Sequence, residues 1–137
     1  MATSKRSGRY GALMLLDLDR FKLLNDTHGH AMGDLLLQEV GRRISSCLRE
    51  MDTVARLGGD EFVLVLCDLD KDEARSTLQT SIVAEKIHTI LAAPYELKFQ
   101  RENNMEATIE YQCTASIGVV LFINHEASRE DILKQAD

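Results

Sequence analysis

Thr53-Val54-Ala55-Arg56-Leu57-Gly58-Gly59-Asp60-Glu61-Phe62-Val63-Leu64-Val65-Leu66-Cys67 is the stretch on which the fold turns. Two apolar runs, 53–57 and 62–67, flank Gly58-Gly59-Asp60-Glu61. Adjacent glycines let a chain reverse with φ > 0, so the pattern predicts a β-hairpin. Upstream, Gly11 to Asp17 (GALMLLD) is a short apolar run ending in acid, the signature of a strand buried on both faces. A polar stretch rich in Asp, Asn, His and Gly follows from Asp19 to Gly33 and reads as a loop. From about Asp34 to Arg49, Leu36, Val40, Ile44 and Leu48 recur every four residues, widened by Leu37 and Cys47, which predicts an amphipathic helix.

Downstream of the hairpin, Asp70-Lys71-Asp72-Glu73 has the form of a capping box, an acceptor followed three residues later by Glu. The helix it opens carries Ala74, Leu78, Ile82, Ile87, Ile90 and Leu91 and ends before Pro94. Pro94-Tyr95 begins an extended segment, 101–107 reads as a polar loop, and Ala115 to Phe122 as a strand. Ser128-Arg129-Glu130-Asp131 starts a last helix. The order β-α-β-β-α-β-β-α predicts an α/β sandwich with mixed strand directions, close to the ferredoxin-like pattern.

The chain has 137 residues, 45% hydrophobic and 28% charged, enough for a single globular domain with one core. No apolar run approaches the ~18 residues needed to span a bilayer, and the basic start MATSKRSGRYG lacks an apolar signal core. The expectation is a cytoplasmic domain without direct membrane contact, whose parent is free to be membrane-anchored. Cys47, Cys67 and Cys113 show no zinc or redox spacing and read as reduced, buried small hydrophobes. A net charge of −6 argues against broad binding to a nucleic-acid backbone, though not against a nucleotide arriving with divalent metal. His28, His30, His88 and His125 show no metal spacing, and Met14, Met32, Met51 and Met105 suit packing or loops.

Three constellations bear on chemistry. Asp17-Leu18-Asp19 closes the buried strand, and alternation can place Asp17 and Asp19 on one face, where a carboxylate beside a loop suits Mg²⁺; the plainer alternative is that both acids end a strand in solvent. At Arg56-Leu57-Gly58-Gly59-Asp60-Glu61-Phe62 the glycines let a ligand approach bare backbone. In a regular strand Asp60 and Glu61 point to opposite sides, so only one of them joins Asp17; the alternative is a hairpin turn with solvated acids. Between strand and helix, Asn25 and Asp34 match the donor and acceptor pattern of a guanine edge, and Lys22 can reach a phosphate; alternatively this is a turn-rich loop in which Asp34 steadies a helix start.

Together these segments resemble the GGDEF family of diguanylate cyclases. The resemblance runs through Asp17-Leu18-Asp19-Arg20-Phe21-Lys22, Asn25-Asp26-Thr27-His28-Gly29-His30, Gly33-Asp34, Arg56 to Phe62 and Ala115-Ser116-Ile117-Gly118-Val119. It implies a nucleotidyl-cyclase, palm-type sheet with flanking helices. It further implies Asp17, Asp60 and the Leu18 carbonyl as ligands of Mg²⁺ or Mn²⁺, with Glu61 close to the metal. Lys22 would contact the triphosphate, Asn25 and Asp34 would read guanine, and the Gly58-Gly59 backbone would lie against substrate. The implied reaction joins two GTP into cyclic di-GMP with release of two pyrophosphates, across a homodimer of facing domains.

Arg49-Glu50-Met51-Asp52 matches the family's R-x-x-D inhibitory site, where product binds, with Arg56 assisting; alone, the pattern is an ordinary charged helix end. Two family segments have no counterpart: D-x-L-T-x-L-x-N-R before the first strand and Y-x-A-K-x-x-G-R-N after the last helix start. The expectation is therefore a single domain over 1–137, truncated at both ends and inactive by itself. The alternative is a non-catalytic module that binds GTP or cyclic di-GMP and regulates a neighbour such as a phosphodiesterase domain.

Overall fold

The computed structural model describes residues 8–100 and 105–123, and of Gln100 the backbone alone. Its elements are β1 (Tyr10–Leu18), α1 (Phe21–His28), α2 (His30–Ser46), β2 (Thr53–Gly58), β3 (Glu61–Leu66), α3 (Glu73–Ala92), β4 (Tyr95–Gln100), β5 (Glu106–Tyr111) and β6 (Ala115–Ile123). The helix expected from Ser128 lies outside the described residues.

Four strands form a sheet in the order β2-β3-β1-β6, and β4 and β5 pair as a separate ribbon. The β2–β3 hairpin is as the sequence predicts, and β3 inserts between β1 and β2. This is the split β-α-β arrangement of ferredoxin-like sandwiches. Every described pairing is antiparallel, so the mixed strand directions expected from sequence do not appear in the ladders. The hairpin is the cause: β3 runs back along β1, and β2, which shares the direction of β1, is kept from touching it.

β1 is buried on both faces. Ala12, Met14, Leu16 and Leu18 join Phe62, Leu64 and Leu66 of β3 beneath Leu36, Val40 and Ile44 of α2 and Ile87 and Leu91 of α3. Leu13 joins Val63, Val65 and Cys67 on the opposite face, with Leu15 and Phe122 at its margin. Alternation along each strand separates the two sets.

Five local expectations need correction, the first being that β5 (Glu106–Tyr111) begins within the expected 101–107 loop, paired along its length with β4. The polar stretch 19–33 contains α1: Phe21 and Leu24, one turn apart, bury themselves, and that packing outweighs the weak helix propensity of Asn25, Asp26 and Thr27. Gly29, at φ 89°, ends α1 by donating its N–H to the Asn25 carbonyl (2.8 Å), and α2 starts at His30 rather than Asp34. The cap of α3 is Asp72, not Asp70: its carboxylate accepts from the Arg75 N–H (2.9 Å), while Asp70 accepts from the Asp72 N–H (2.9 Å). The buried stripe of α3 also differs. Leu78 and Ile82 are 61% and 57% exposed, and the first half of the helix buries Ser76 and Thr80 instead. Their hydroxyls donate to the carbonyls of Asp70 and Ser76 (2.8 Å each), so neither is left unpaired.

One side chain joins three elements. Arg43 of α2 donates to the carbonyls of Ile90, Ala93 and Pro94 at 2.8 Å each and lies 3.7 Å over the Tyr95 ring. It thereby satisfies carbonyls that a helix C-terminus leaves open. Glu39 accepts from both Arg42 and Arg43. None of the three cysteines is in a disulfide; Cys67 and Cys113 are buried and Cys47 half-buried. Burial pushes the Cys113 thiol above its usual range.

Candidate active site

The ends of β1 and β3, the β2–β3 turn, the start of β6 and α1 meet at one end of the sheet. Asp17 lies in register with Glu61 on one side and Ser116 on the other. By alternation, Leu15, Asp17, Glu61, Ser116 and Gly118 share the face opposite the helix-covered core, where they border a cleft of about 480 Å³ together with Leu57.

Asp60 occupies the turn rather than a strand. Its carbonyl accepts from the Leu18 N–H (3.3 Å), which ties the turn to the end of β1. Strand alternation, the premise for expecting only one of Asp60 and Glu61 to join Asp17, therefore does not apply to it. Glu61 is the ladder partner of Asp17, and Asp60 is near enough for its charge to act on Asp17. The Asp17 carboxyl is held above its usual range, first by burial and then by the neighbouring charges of Asp60 and Asp19. Gly59 takes φ 50°, a conformation that strains a side-chain-bearing residue, and its carbonyl accepts from Arg56 Nε (3.1 Å).

Asp19 does not share this acidic face as a free carboxylate. Thr114 Oγ1 and Ser116 Oγ donate to it at 2.6 and 2.8 Å, and its N–H donates to the Thr114 carbonyl (2.9 Å). Those two hydroxyl bonds, Thr114 first, hold its carboxyl below the usual range. Asp19 shapes the β1–β6 end. Nothing in the sequence near Asp19 signals Thr114 and Ser116; only the strand register brings them there. Among the described residues no group of three or more His, Cys, Asp or Glu is placed to hold a metal ion. Mg²⁺ does not need one, since it binds through one or two carboxylates, water and substrate phosphates. The Asp17 carboxylate, within reach of the Asp60 charge, fits that donor chemistry.

Asn25 of α1 packs against Gly33, the chain neighbour of Asp34, at the α1–α2 corner. A Cβ on Gly33 would stand 1.9 Å from Asn25 Oδ1, so glycine there is what admits the Asn25 side chain. Asn25 Oδ1 is buried and has no hydrogen-bond partner among the described residues, an orphan acceptor, while Asp34 is exposed. Lys22 is exposed, one turn before Asn25 on α1.

Arg49 and Asp52 also meet, but turned toward each other. The Asp52 side chain is 3% exposed and that of Arg49 49%. The Asp52 carboxylate accepts from the Arg49 N–H (3.0 Å), Arg49 Nε (3.3 Å) and the Cys67 N–H (3.1 Å), and Arg49 Nη2 donates to the Cys67 carbonyl. The pair closes the α2–β2 turn onto the end of β3.

The family profile "Diguanylate cyclase, GGDEF domain" matches residues 1–137. The chain belongs to the GGDEF family. This GGDEF domain is 39% identical over 132 residues to the bifunctional diguanylate cyclase/cyclic di-GMP phosphodiesterase MucR of Pseudomonas aeruginosa, covering 96% of the chain and 17% of that relative. Among solved structures, the GGDEF domain of TpbB (YfiN) from P. aeruginosa superposes with a TM-score of 0.76 at 33% identity, over 99% of this chain and 72% of that one. The GGDEF domain of DgcB from Caulobacter crescentus, solved in complex with c-di-GMP, gives 0.68 at 27% identity over 99% and 72%. No described helix of the GGDEF domain is long and apolar enough to cross a membrane.

Proposed function

We propose that this GGDEF domain is the catalytic unit of a diguanylate cyclase, converting two GTP to cyclic di-GMP and two pyrophosphates. The observation that carries the reading is the placement of Asp17 in register with Glu61 and within reach of the Asp60 charge at one end of the sheet. In this reading Asp17, Asp60 and the Leu18 carbonyl hold Mg²⁺ or Mn²⁺, with Glu61 adjacent. When bound, the ion neutralises phosphate charge and lowers the pKa of the attacking 3′-hydroxyl. Lys22 steadies the triphosphate as a point charge. Asp34 accepts from the guanine N–H groups and Asn25 completes the pattern, which ends the isolation of its buried oxygen. The bare Gly58-Gly59 backbone lets substrate close on the turn. Each domain holds one GTP, so two face each other across a two-fold axis.

Feedback belongs to the same proposal. Arg49, Asp52 and Arg56 form the product site, with the half-exposed Arg49 guanidinium the accessible part. Asp52 is already satisfied internally, so product binding there draws Arg49 away from it.

A second reading, a regulatory module beside a phosphodiesterase, is favoured by one observation: MucR carries both activities in its name, and the chain spans only 17% of its length. Incubating the full-length parent protein with GTP and Mg²⁺ and identifying the products separates the two. Cyclic di-GMP with pyrophosphate is expected. GTP binding without turnover would favour the regulatory module.

A further inference from the structure

Gly118 lies in the interior of β6, opposite Leu15 and two residues beyond Ser116, the partner of Asp17. Glycine weakens a strand interior, so its presence there calls for a reason. Crowding explains other glycines in this chain: a Cβ on Gly11 would stand 2.6 Å from the Phe122 ring, and one on Gly33 1.9 Å from Asn25. Backbone conformation explains Gly59. Neither applies to Gly118. Its φ is not positive, and among the described residues no atom beyond its two chain neighbours lies within 4 Å of a Cβ built there. What it does border is the 480 Å³ cleft, on the same sheet face as Asp17 and Glu61.

We infer that Gly118 is a specificity-determining residue whose missing side chain leaves an open floor for the metal-bound polyphosphate of a nucleoside triphosphate. The inference rests on the cyclase reading above. The chemistry of the cleft selects the ligand. Asp17 and Glu61 repel a bare anion, so a phosphate chain passes them only with a divalent cation between. The strand backbone beside them must then be approached closely, and a branched side chain at 118 would stand in the way.

The test compares the full-length parent protein with Gly118→Ala and Gly118→Val in three measurements: melting temperature, Mn²⁺ binding alone, and GTP binding in the presence of Mg²⁺. Valine suits a strand and finds free space, so the melting temperature is expected to hold or rise. Mn²⁺ binding is expected to stay within about twofold of the unchanged protein, because the carboxylates are untouched. GTP affinity is expected to fall by at least roughly tenfold for valine and less for alanine, as for other steric exclusions from a fitted pocket. A folded Gly118→Val protein that binds GTP as tightly as the unchanged one overturns the inference and leaves the cyclase reading standing. A lowered melting temperature or lost Mn²⁺ binding also overturns it, because the glycine then serves packing. An unchanged protein that binds no GTP removes the cyclase reading and this inference with it.

Discussion

At the scale of single residues, the candidate acids stand out in the sequence and their supports do not. Asp17, Asp60 and Glu61 stand in short motifs, and a motif survives in sequence because its residues are neighbours along the chain. Thr114 and Ser116, which hold Asp19, are distant in sequence and arrive only through the β1–β6 register. Asp60→Ala is expected to leave the domain folded, since the turn uses the Asp60 carbonyl and not its carboxylate, and to abolish cyclic di-GMP formation. Circular dichroism with a turnover assay checks both halves; wild-type turnover in the folded variant removes Asp60 from the metal site. The Arg49–Asp52 pair allows a sharper contrast. Arg49→Ala is expected to weaken cyclic di-GMP binding by at least roughly tenfold, the loss of one charged hydrogen bond. Asp52→Ala is expected to destabilise the fold by about 1–3 kcal/mol, because the Cys67 N–H loses its acceptor. Calorimetric titration and urea unfolding read these separately, and undiminished product binding by the Arg49 variant reduces the pair to a structural turn.

At the scale of elements, apolar periodicity located the four strands of the main sheet and the bodies of α2 and α3 but missed α1 and β5, and it misread the buried face of α3 where polar atoms were buried. The first half of α3 hides hydroxyls rather than leucines, since Ser76 and Thr80 are small and find carbonyls within reach. A hydrophobic pattern cannot report such a face. α1 escaped notice because two apolar residues suffice for so short a helix. Arg43 was invisible for a related reason: its partners are main-chain carbonyls, which every sequence possesses. Arg43→Ala is expected to lower stability by about 2–3 kcal/mol, and Arg43→Lys to recover only part, since an ammonium cannot reproduce the guanidinium fork. Glu39 adds a pH signature. Burial opposes its charge, but hydrogen bonds from Arg42 and Arg43 prevail and hold its carboxyl below the ordinary 4.5. A depressed carboxyl stabilises the fold fully above its unfolded pKa and loses that contribution as pH falls through the folded one. The stability difference between wild type and Glu39→Gln is therefore expected to be constant above about pH 5.5 and to close as pH drops below 4.5. Urea midpoints measured across that range test it; a difference that widens in acid contradicts the sign.

At the scale of the whole molecule, the α+β class and ferredoxin-like order followed from the succession of elements, whereas the strand directions required knowing that β3 lies between β1 and β2. If two facing domains share one reaction, turnover per domain depends on their encounter. Specific activity is expected to rise with protein concentration toward a plateau and to fall on dilution below the dimer dissociation constant. A dilution series followed by pyrophosphate release measures this. Specific activity that stays flat down to concentrations where sedimentation shows only monomers excludes a site completed by a second domain.

The position of β1 also sets a timetable. Its partners on one side come from residues 61–66 and on the other from 115–123, so the central strand has its second neighbour only after nearly all of the described chain exists. A ribosome adds roughly 5–20 residues per second, so a nascent chain spends several seconds with β1 paired on one edge only. During that interval the hydroxyls of Thr114 and Ser116 have not yet been made, and Asp19 has nothing to hold it. The acidic end of the sheet is thus completed only once residues 114–116 exist, and a translation product interrupted before residue 114 carries the acidic motifs without the brace that fixes them.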